Sequence, residues 1–217
     1  MINWGIIGLG NMGQKFARAI TETNNSNLVG VASKDKNKIK NFESKHNFKD
    51  LIMYNNYDEI IQDKNIAAIY IATLNNTHFE LIKKCSENNK YILCEKPFTL
   101  NYDEGREVFD CIIKNNTIFY EGFAYRSHPQ TKVIKDIVEN NELGEIKNIQ
   151  SSFGFKINKI KPESRLFDKK LGGGAILDVG CYPLSILNLF YKDPDSYKFL
   201  NTKGNLTHTN VDDFAEA

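Results

Sequence analysis

Several features that mark common classes of protein are missing from this sequence. No apolar run in its 217 residues approaches the ~20 residues that a membrane-spanning helix needs. The N-terminus has no signal-peptide pattern. The formal net charge is only +1, so no overall field favours nucleic acid or an anionic membrane. With 41% hydrophobic and 25% charged residues, the composition predicts an ordinary globular protein of one large domain or a domain and a half.

The sequence also lacks any cysteine spacing that is typical of a metal site. There is no CxxC pair, and each of the four cysteines lies in apolar surroundings: Cys85, Cys94, Cys111 and Cys181. This placement favours buried free thiols, which persist in a reducing compartment. We therefore expect a cytoplasmic protein without a metal site.

A glycine-rich turn near the N-terminus indicates a dinucleotide site. Residues 4–7 form a short apolar run, the pattern Gly8-x-Gly10-x-x-Gly13 follows at once, and apolar residues then recur at helical spacing. A strand, this fingerprint and a helix are the context that a dinucleotide-binding fold requires. Gly8 would permit a tight turn, Gly10 the close approach of a pyrophosphate, and Gly13 close packing of helix on strand. The alternative is a glycine-rich turn that holds no ligand.

Residues after the second strand bear on the choice of cofactor. The strand predicted at 28–32 ends in Ser33 and Lys34, and Lys38 follows one helical turn later. A hydroxyl and two cations suit a ribose 2′-phosphate better than a bare diol, so the pattern favours NADP. Asp35 leaves NAD open, because it would replace the usual acid if the loop were shifted. A solvated helix face is the other interpretation of these lysines.

Strands and helices alternate through the first 123 residues. Further strands are predicted at 66–72, 91–94 and 117–123, and helices at 35–46, 57–62, 78–88 and 101–115. This alternation predicts an α/β protein with a doubly wound parallel sheet. In the polar loop after the strand predicted at 66–72, Thr77 is expected to cap the next helix, and His78 lies in its first turn.

The strand at 91–94 ends in Glu95-Lys96-Pro97. Ligands of open α/β sheets bind beyond the carboxyl ends of the strands, so we expect Lys96 at the mouth of a cofactor crevice. Pro97 would stiffen the turn, and a Lys-Pro bond is one of the few that can be cis. A surface lysine in an ordinary loop is the alternative.

The pattern changes after residue 123, where a polar link precedes a helix predicted at 130–140. Residues 146–155 then alternate in polarity, as expected of a strand with one solvated face. We therefore expect a second domain to begin near residue 124.

Three consecutive glycines, residues 172–174, precede an apolar helical run that continues to residue 191. Asp178 and Tyr182 are four residues apart in this run and would share one helix face. Pro183 predicts a local kink beside Tyr182, because proline has no N–H for the helical hydrogen bond. The alternative to a functional role is that Asp178 and Tyr182 pair with each other or with the backbone.

Five motifs occur along the chain in a fixed order: Gly8-x-Gly10-x-x-Gly13, Thr73-x-Asn75-x-x-His78, Glu95-Lys96-Pro97, Tyr125-Arg126-x-His128-Pro129 and Gly172-Gly173-Gly174-x-x-x-Asp178-x-Gly180-x-Tyr182. In these motifs the chain resembles the glucose–fructose oxidoreductase, inositol dehydrogenase and rhizopine catabolism (Gfo/Idh/MocA) family of NAD(P)-dependent oxidoreductases. Tyr182, together with Ser33-Lys34, looks like the branch of dihydrodiol and xylose dehydrogenases, which uses NADP. Leu74 is a departure, since the family usually has proline there.

The resemblance implies a Rossmann domain over residues 1–123 and a substrate and dimerisation domain over 124–217. The second would be the first part of an α+β domain with an open, mostly antiparallel sheet. In the family a strand begins where this chain stops, so we expect a fragment or a truncated product, and a homodimer in the full-length form.

The resemblance also implies roles for individual residues. Lys96 would reach the nicotinamide ribose and the substrate hydroxyl, and Asp178 would bind substrate. The expected cofactor contacts are Gly8, Leu9, Gly10, Asn11, Met12, Ser33, Lys34, Lys38, Thr73, Leu74, Asn75, His78, Glu95, Lys96 and Arg165.

The leading hypothesis is an NADP-dependent oxidoreductase that moves a hydride between the nicotinamide and a carbinol carbon of a sugar, polyol or related diol. Tyr182 would exchange the hydroxyl proton. A free tyrosine has a pKa of about 10, and a neighbouring ammonium such as that of Lys96 favours the phenolate. Asp178 would orient a second hydroxyl. The rival hypothesis is a dinucleotide-binding protein without catalysis, either a redox sensor or an inactive remnant.

Overall fold

The computed structural model describes residues 1–191, 198 and 201–217. The chain divides into two compact units, Met1–Gly122 and Phe123–Ala217. The first is an α/β unit, and the described part of the second consists of helices, irregular segments and one hairpin.

A twisted parallel sheet forms the centre of the first unit, all of whose residues are described. Its strands are β1 (Ile2–Ile7), β2 (Ser26–Ala32), β3 (Ile52–Tyr54), β4 (Ala68–Ile71), β5 (Tyr91–Cys94) and β6 (Phe119–Glu121). The order is β3-β2-β1-β4-β5-β6, and each neighbouring pair is parallel. The chain order reverses between β1 and β4. In doubly wound sheets the ligand crevice lies outside the carboxyl ends of the strands at such a switch point.

Helices connect these strands and cover both faces of the sheet. They are α1 (Asn11–Ile20), α2 (Lys36–Lys45), α3 (Tyr57–Gln62), α4 (His78–Glu87) and α5 (Tyr102–Lys114). Successive side chains of a strand point to opposite faces, so adjacent residues join different cores. Ile6 and Tyr70 pack in one buried cluster, whereas Ile7 and Ile69 pack in the other. The doubly wound sheet expected from the sequence is therefore confirmed.

Two of these helices are followed by an asparagine whose own backbone has the left-handed conformation that L-residues rarely adopt. Asn89 follows α4 with φ 56°, and Asn116 follows α5 with φ 51°. The next residue in each case reaches back to the helix, as when Lys90 donates its backbone N–H to the Cys85 carbonyl at 3.0 Å. This is the usual way to satisfy the last carbonyls of a helix, with asparagine taking the place of glycine.

The helices and strands of the first unit lie close to the predicted ones, with three exceptions. The strand predicted at 117–123 is shorter, since β6 covers only Phe119–Glu121. The three-residue strand β3 is not predicted, because it is too short to show a period. The strand predicted at 66–72 begins later, at Ala68, since the backbone N–H of Ile66 bonds to Asp63 in a turn.

The second unit contains α6 (Pro129–Glu139), a π-helical turn (Ile176–Gly180), α7 (Cys181–Phe190), β7 (Lys203–Leu206) and β8 (Asp212–Glu216) among its described residues. β7 and β8 form an antiparallel hairpin. A π-helical turn lies directly before α7, which contains Pro183. Pro183 has no N–H to give to the carbonyl of Val179, four residues earlier, so one α-helical hydrogen bond is missing there. The kink expected beside Tyr182 stays a prediction.

The prediction of a strand over residues 146–155 is wrong. Within the described part of the chain these residues pair with no strand, and the hairpin of β7 and β8 pairs only with itself. Alternating polarity suits the face of a sheet, but a strand forms only where another strand accepts its backbone N–H and C=O groups.

Contrary to the expectation that no apolar run approaches the length of a membrane span, one described stretch, Lys169–Phe190, is long and apolar enough to cross a membrane by length and composition alone. It is not one regular α-helix, because it contains a 3₁₀ turn (Lys169–Leu171), the three glycines and the π-helical turn before α7. The ten residues of α7 span about 15 Å, half of the ~30 Å of a bilayer core. The stretch is therefore only a weak indication of a membrane span.

Candidate cofactor site and reactive residues

Two glycines of the fingerprint are required by the protein itself. Gly8 has φ 100°, and a Cβ added to it would lie 2.5 Å from the Ala72 carbonyl oxygen. A Cβ on Gly13 would lie 2.2 Å from the Gly8 carbonyl oxygen, so α1 could not pack so closely on β1. The Gly8 N–H donates to the Ala32 carbonyl at 3.0 Å, which joins the glycine loop to the end of β2.

Gly10 is different, because nothing in the described structure crowds it. An added Cβ would meet no described atom within 4 Å. Gly10 is also the N-cap of α1, which has neither a side-chain cap nor an acidic residue in its first turn within the described residues. The N–H groups at such an uncapped helix start, with the helix dipole, attract phosphate. The loop therefore fits a dinucleotide pyrophosphate, which needs the space that a Cβ would fill.

The residues beside Gly10 differ in whether their side chains can reach a ligand. Leu9 is buried in the core, so only its backbone can face a ligand. Asn11 and Met12 are exposed at the start of α1.

The end of β2 presents the residues expected to select the cofactor. Ser33 is buried, and its Oγ accepts the Asp35 N–H at 3.1 Å. The Lys34 ammonium lies over the Tyr57 ring, 5.1 Å from its centroid, a cation–π contact that keeps the charge near the strand end. Lys38 is exposed on α2. Asp35 caps α2, where its Oδ1 accepts the Asn37 N–H at 2.9 Å.

The loop after β4 is tied together by side-chain hydrogen bonds. The Thr77 hydroxyl donates to Thr73 Oγ1 at 2.6 Å and lies 2.8 Å from the Leu74 carbonyl. Thr77 occupies the expected N-cap position of α4, but its side chain makes no cap hydrogen bond there. Leu74 has φ −76°, within the range that proline would impose, and Asn75 begins a short 3₁₀ turn. The leucine therefore keeps the backbone shape that the family's proline would give.

Glu95 follows β5 and is held by a tyrosine of the neighbouring strand. The Tyr70 hydroxyl donates to Glu95 Oε1 at 2.5 Å. Burial raises the pKa of the Glu95 carboxyl, and the hydrogen bond from Tyr70 and the charge of Lys96 oppose that rise. Burial and the adjacent Glu95 raise the pKa of Tyr70 far above its ordinary value, so the phenol keeps its proton and donates it.

Lys96 is half-buried and precedes a cis peptide bond to Pro97. The side chain of His78 lies behind this turn and is fully buried, with Nδ1 2.8 Å from the Pro97 carbonyl oxygen. Its Nε2 lies 3.3 Å from the Thr73 carbonyl oxygen. A side chain with no exposed surface offers no face to a ligand, so the expected cofactor contact of His78 is corrected to a contact with these two loops.

These residues of the first unit come together at one edge of the sheet. Gly8, Ser33, Thr73 and Glu95 each follow the carboxyl end of a strand, and the four strands β2, β1, β4 and β5 are consecutive neighbours. The edge includes the switch point between β1 and β4, so it is the place where a dinucleotide would lie.

In the second unit, Arg165 pairs with Asp178. Its Nη1 donates to Asp178 Oδ1 at 2.9 Å, and the Asp178 side chain is only 10% exposed. The sequence places Arg165 among the expected cofactor contacts, whereas within this unit it neutralises the acid expected to bind substrate. Asp178 lies in the π-helical turn, so its spacing from Tyr182 is not that of a regular α-helix.

Tyr182 lies in the first turn of α7 among aromatic rings of the same unit. Its ring meets Phe123 at 5.3 Å and Phe153 at 5.1 Å, both edge to face, and Tyr125 at 6.1 Å. Tyr125 is fixed in turn, because its hydroxyl donates to Ser185 Oγ at 2.8 Å. Aromatic pairs in such geometry hold the ring of Tyr182 in place.

Asp212 of β8 is a neighbour of this region that no sequence motif selects. Its Oδ2 accepts the Ile176 N–H at 2.6 Å at the start of the π-helical turn. Gly174, with φ 117°, makes room for this carboxylate, since a Cβ there would lie 2.2 Å from Asp212 Oδ1. The contact spans 36 residues of sequence, and no local pattern marks it.

Neither metal nor disulfide chemistry is represented among the described residues. They contain no group of three or more His, Cys, Asp or Glu side chains placed to bind a metal ion. The four cysteines are free; Cys85 and Cys94 are buried, whereas Cys111 and Cys181 are half-buried. Burial raises the pKa of the Cys85 thiol to about 12, so it is unreactive as a nucleophile.

Comparison with known proteins agrees with this geometry. Residues 2–123 match the family model described as an oxidoreductase family with an NAD-binding Rossmann fold. Residues 131–217 match the GFO/IDH/MocA C-terminal domain. The chain belongs to the Gfo/Idh/MocA family.

Relatives within this family carry dehydrogenase names. A trans-1,2-dihydrobenzene-1,2-diol dehydrogenase of Xenopus tropicalis is 32% identical over 214 residues, which cover 97% of this chain and 62% of the relative. A D-xylose 1-dehydrogenase (NADP(+)) of Haloferax volcanii is 29% identical over 192 residues, 88% of this chain and 58% of the relative. The chain thus spans about three fifths of the length of these relatives.

A solved structure supports the fold. The 3-ketoreductase KijD10 from Actinomadura kijaniata, in complex with NADP and TDP-benzene, aligns with a TM-score of 0.79 at 23% identity. The alignment covers 97% of this chain and 63% of that chain. At this identity the likeness shows the Rossmann architecture alone.

Proposed function

We propose that this protein is an NADP-dependent oxidoreductase that transfers a hydride between the nicotinamide and a carbinol carbon of a sugar, polyol or related diol. The observation that carries the proposal is the open space beside Gly10 at the uncapped start of α1. Protein packing explains Gly8 and Gly13, whereas Gly10 combines open space with the uncapped helix start after β1, where a pyrophosphate would approach the backbone. The strand ends that carry Ser33 and Glu95 lie along the same edge.

The preference for NADP rests on the end of β2. The Ser33 hydroxyl and the Lys34 ammonium suit a 2′-phosphate. Asp35, the residue that leaves NAD open in the sequence, uses one carboxylate oxygen to cap α2 and is thereby less suited to a ribose diol. The Haloferax relative is also named for NADP(+).

In the proposed mechanism Tyr182 exchanges the proton of the reacting hydroxyl. During oxidation the hydroxyl proton passes to the phenolate oxygen, the C–H electron pair leaves as hydride, and a C=O bond forms. Bound NADP would accept that hydride at C4. A neighbouring ammonium, the role that the sequence suggests for Lys96, would favour phenolate over phenol. Asp178 holds a second hydroxyl and shares its carboxylate with Arg165.

The substrate class follows from chemistry that the named relatives share. A trans-dihydrobenzenediol and D-xylose both carry hydroxyl groups on adjacent carbons. One acid and one tyrosine suit such a pair, because Tyr182 meets the reacting hydroxyl while Asp178 accepts a hydrogen bond from its neighbour. We include in this proposal a homodimer in the full-length form, and a cytoplasmic setting in which the free thiols remain reduced.

The experiment that tests the cofactor site compares two glycines that have equal room. Gly10→Ala should weaken NADPH binding at least about tenfold, which is ~1.4 kcal/mol, because the new methyl group occupies the pyrophosphate's space. Gly154→Ala is the matched control, since its added Cβ would likewise meet no described atom within 4 Å. Both variants should melt like the wild type. Equal NADPH affinity in the two variants, measured by fluorescence titration, would place the cofactor elsewhere.

The same titration tests the choice of cofactor. Lys34→Ala should weaken NADP binding and leave NAD binding nearly unchanged, because only the 2′-phosphate meets that ammonium. An equal loss for both cofactors would show that β2 does not select NADP.

Turnover tests the reactive tyrosine. On a panel of aldoses, polyols and trans-dihydrodiols, Tyr182→Phe should keep cofactor affinity and lower kcat by roughly 10²–10⁴. Unchanged kcat would remove Tyr182 from the mechanism. Tight NADPH binding without turnover on any compound would favour the non-catalytic binding protein.

A further inference from the structure

The peptide unit that joins Pro97 to Phe98 is held at both ends by side chains. Its carbonyl oxygen accepts a hydrogen bond from His78 Nδ1 at 2.8 Å. Its N–H donates to Glu121 Oε1 at 3.1 Å. His78 lies at the start of α4 and Glu121 at the end of β6, so two separate elements grip one peptide plane directly after the turn that carries Lys96.

His78 is suited to the carbonyl end. A carbonyl only accepts hydrogen bonds, so the nitrogen at 2.8 Å must carry the proton. Burial lowers the pKa of His78, which keeps the ring neutral with a single N–H. That N–H is assigned to Nδ1, because Nε2 lies at the longer distance of 3.3 Å from the Thr73 carbonyl. The buried ring therefore directs its donor to the Pro97 carbonyl.

Glu121 is brought to the amide end by close contact between β5 and β6. The Gly122 N–H donates to the Cys94 carbonyl at 2.6 Å. A Cβ on Gly122 would lie 3.0 Å from that same oxygen and 3.2 Å from the Glu95 Cα. The ends of the two strands thus lie against each other, which places the Glu121 carboxylate beside Phe98.

We propose that His78 and Glu121 are positioning residues that clamp the Pro97–Phe98 peptide unit and thereby fix the direction in which Lys96 leaves the sheet. A peptide plane bonded at its carbonyl and its amide cannot rotate without breaking one of the two bonds. With either bond lost, the segment after Lys96 gains freedom. A displacement of the reacting groups by about 1 Å can lower turnover by as much as 10²-fold. The inference rests on the proposed function, in which Lys96 is one of the reacting groups.

Two substitutions of His78 separate the clamp from simple packing. In His78→Asn the amide nitrogen takes the place of Nδ1, so the bond to the Pro97 carbonyl is kept. In His78→Gln the longer side chain carries its amide to the place of Nε2 and leaves that carbonyl without its donor. Both variants put a neutral polar group into the same buried site. Rescue by asparagine but not by glutamine is therefore specific to the clamp.

Two substitutions of Glu121 test the amide end of the same peptide unit. Glu121→Gln keeps an acceptor oxygen for the Phe98 N–H, whereas Glu121→Met keeps the side-chain length but removes the acceptor. Hydrogen exchange at the Phe98 amide reports the clamp without requiring any activity. It should speed up by about tenfold, the size of one hydrogen bond, in His78→Gln and Glu121→Met. It should stay near the wild-type rate in His78→Asn and Glu121→Gln.

Turnover completes the test. We expect kcat to fall by about 10- to 100-fold in His78→Gln and Glu121→Met, with the KM for NADPH nearly unchanged, because the pyrophosphate loop is not touched. Equal exchange rates in all four variants, or equal losses of kcat in His78→Asn and His78→Gln, would overturn the clamp. Absence of turnover in the wild type would overturn the proposed function and the positioning role together, while the exchange rates still show whether the peptide unit is held.

Discussion

The two units differ in whether their predicted strands pair with other strands. In the first unit every strand has its neighbours within residues 1–122, and the alternation of strands and helices predicts the sheet. In the second unit residues 146–155 carry the polarity of a strand but pair with no strand among the described residues. The contrast teaches that a polarity pattern specifies which face a strand would bury, while the strand itself depends on a partner for its backbone.

The units also differ in how they hold the proposed reactive groups. In the first, the side chains of His78 and Glu121 bind backbone atoms of the turn that carries Lys96. In the second, the Asp178 carboxylate itself is held by another side chain, that of Arg165. The glycines of the two units test a related difference, between a glycine that packs against backbone and one that packs against a side chain.

The largest effect is expected for Gly13→Ala. The new Cβ would lie 2.2 Å from a backbone oxygen, that of Gly8, which cannot move without shifting α1 from β1. We expect a loss of about 3 kcal/mol in the free energy of unfolding. In the second unit, Gly174→Ala meets the side-chain oxygen of Asp212 at the same 2.2 Å. That carboxylate can turn aside, so the loss should be smaller, about 2 kcal/mol from the unfavourable φ together with a weakened bond to the Ile176 N–H.

Chemical denaturation of both variants, with Gly154→Ala as a nearly neutral control, measures this difference. A greater loss for Gly174→Ala than for Gly13→Ala would reverse the comparison between the two units.

A medium effect is expected for the cap of the π-helical turn. Asp212→Ala removes the acceptor for the Ile176 N–H and should cost about 1–2 kcal/mol, as loss of a helix cap does. Asp213→Ala is the matched control, because Asp213 is the next residue of β8 and is exposed. Similar thermal midpoints for the two variants would mean that the cap does not stabilise the second unit.

A smaller effect depends on pH and tests the buried ring of the first unit. Burial lowers the pKa of His78 in the folded state, so the unfolded chain binds the extra proton first as pH falls. The stability contributed by the neutral ring is complete above pH ~6.5 and declines as pH falls from there towards the folded-state pKa. His78→Asn should remove this part of the acid sensitivity.

The control for that titration is His128→Asn, since His128 is exposed in the second unit. Thermal midpoints of the three proteins between pH 5 and 8 give the answer. An acid slope in His78→Asn as steep as in the wild type would assign the slope to other groups.

The smallest effect is expected for Leu74→Pro. Leu74 already has φ −76°, so proline fits the backbone and reduces the freedom of the unfolded chain. Such substitutions raise the free energy of unfolding by about 0.4–1 kcal/mol. A lower thermal midpoint would show that this loop needs the Leu74 N–H or a different backbone shape.

The sequence predicts best what depends on neighbouring residues. Gly8, Gly10 and Gly13 lie close together in the chain, and Lys96 directly follows an apolar strand. Local pattern alone is therefore enough to place the glycine loop and Lys96 at the sheet edge. The bond between Tyr70 and Glu95 depends instead on the register of two strands, in which Ile71 lies opposite Cys94.

Other contacts bridge residues that no local pattern connects. Arg165 reaches Asp178 across 13 residues, and Asp212 reaches Ile176 across 36. Glu121 holds Phe98 only because the ends of β5 and β6 lie side by side. Such contacts follow from tertiary structure, and residue type alone does not distinguish these carboxylates from ordinary surface acids.

Isotope labelling tests hydride transfer by this protein directly, because it follows a single hydride from the cofactor to the product. The protein is incubated with NADPH deuterated at C4 and with the carbonyl forms of sugars, polyols and dihydrodiols, and the products are examined by mass spectrometry. We expect deuterium on the carbinol carbon of at least one product, at a rate that Tyr182→Phe lowers by roughly 10²–10⁴. Binding of the labelled NADPH with no deuterium transferred to any compound would contradict it and leave a dinucleotide-binding protein without catalysis.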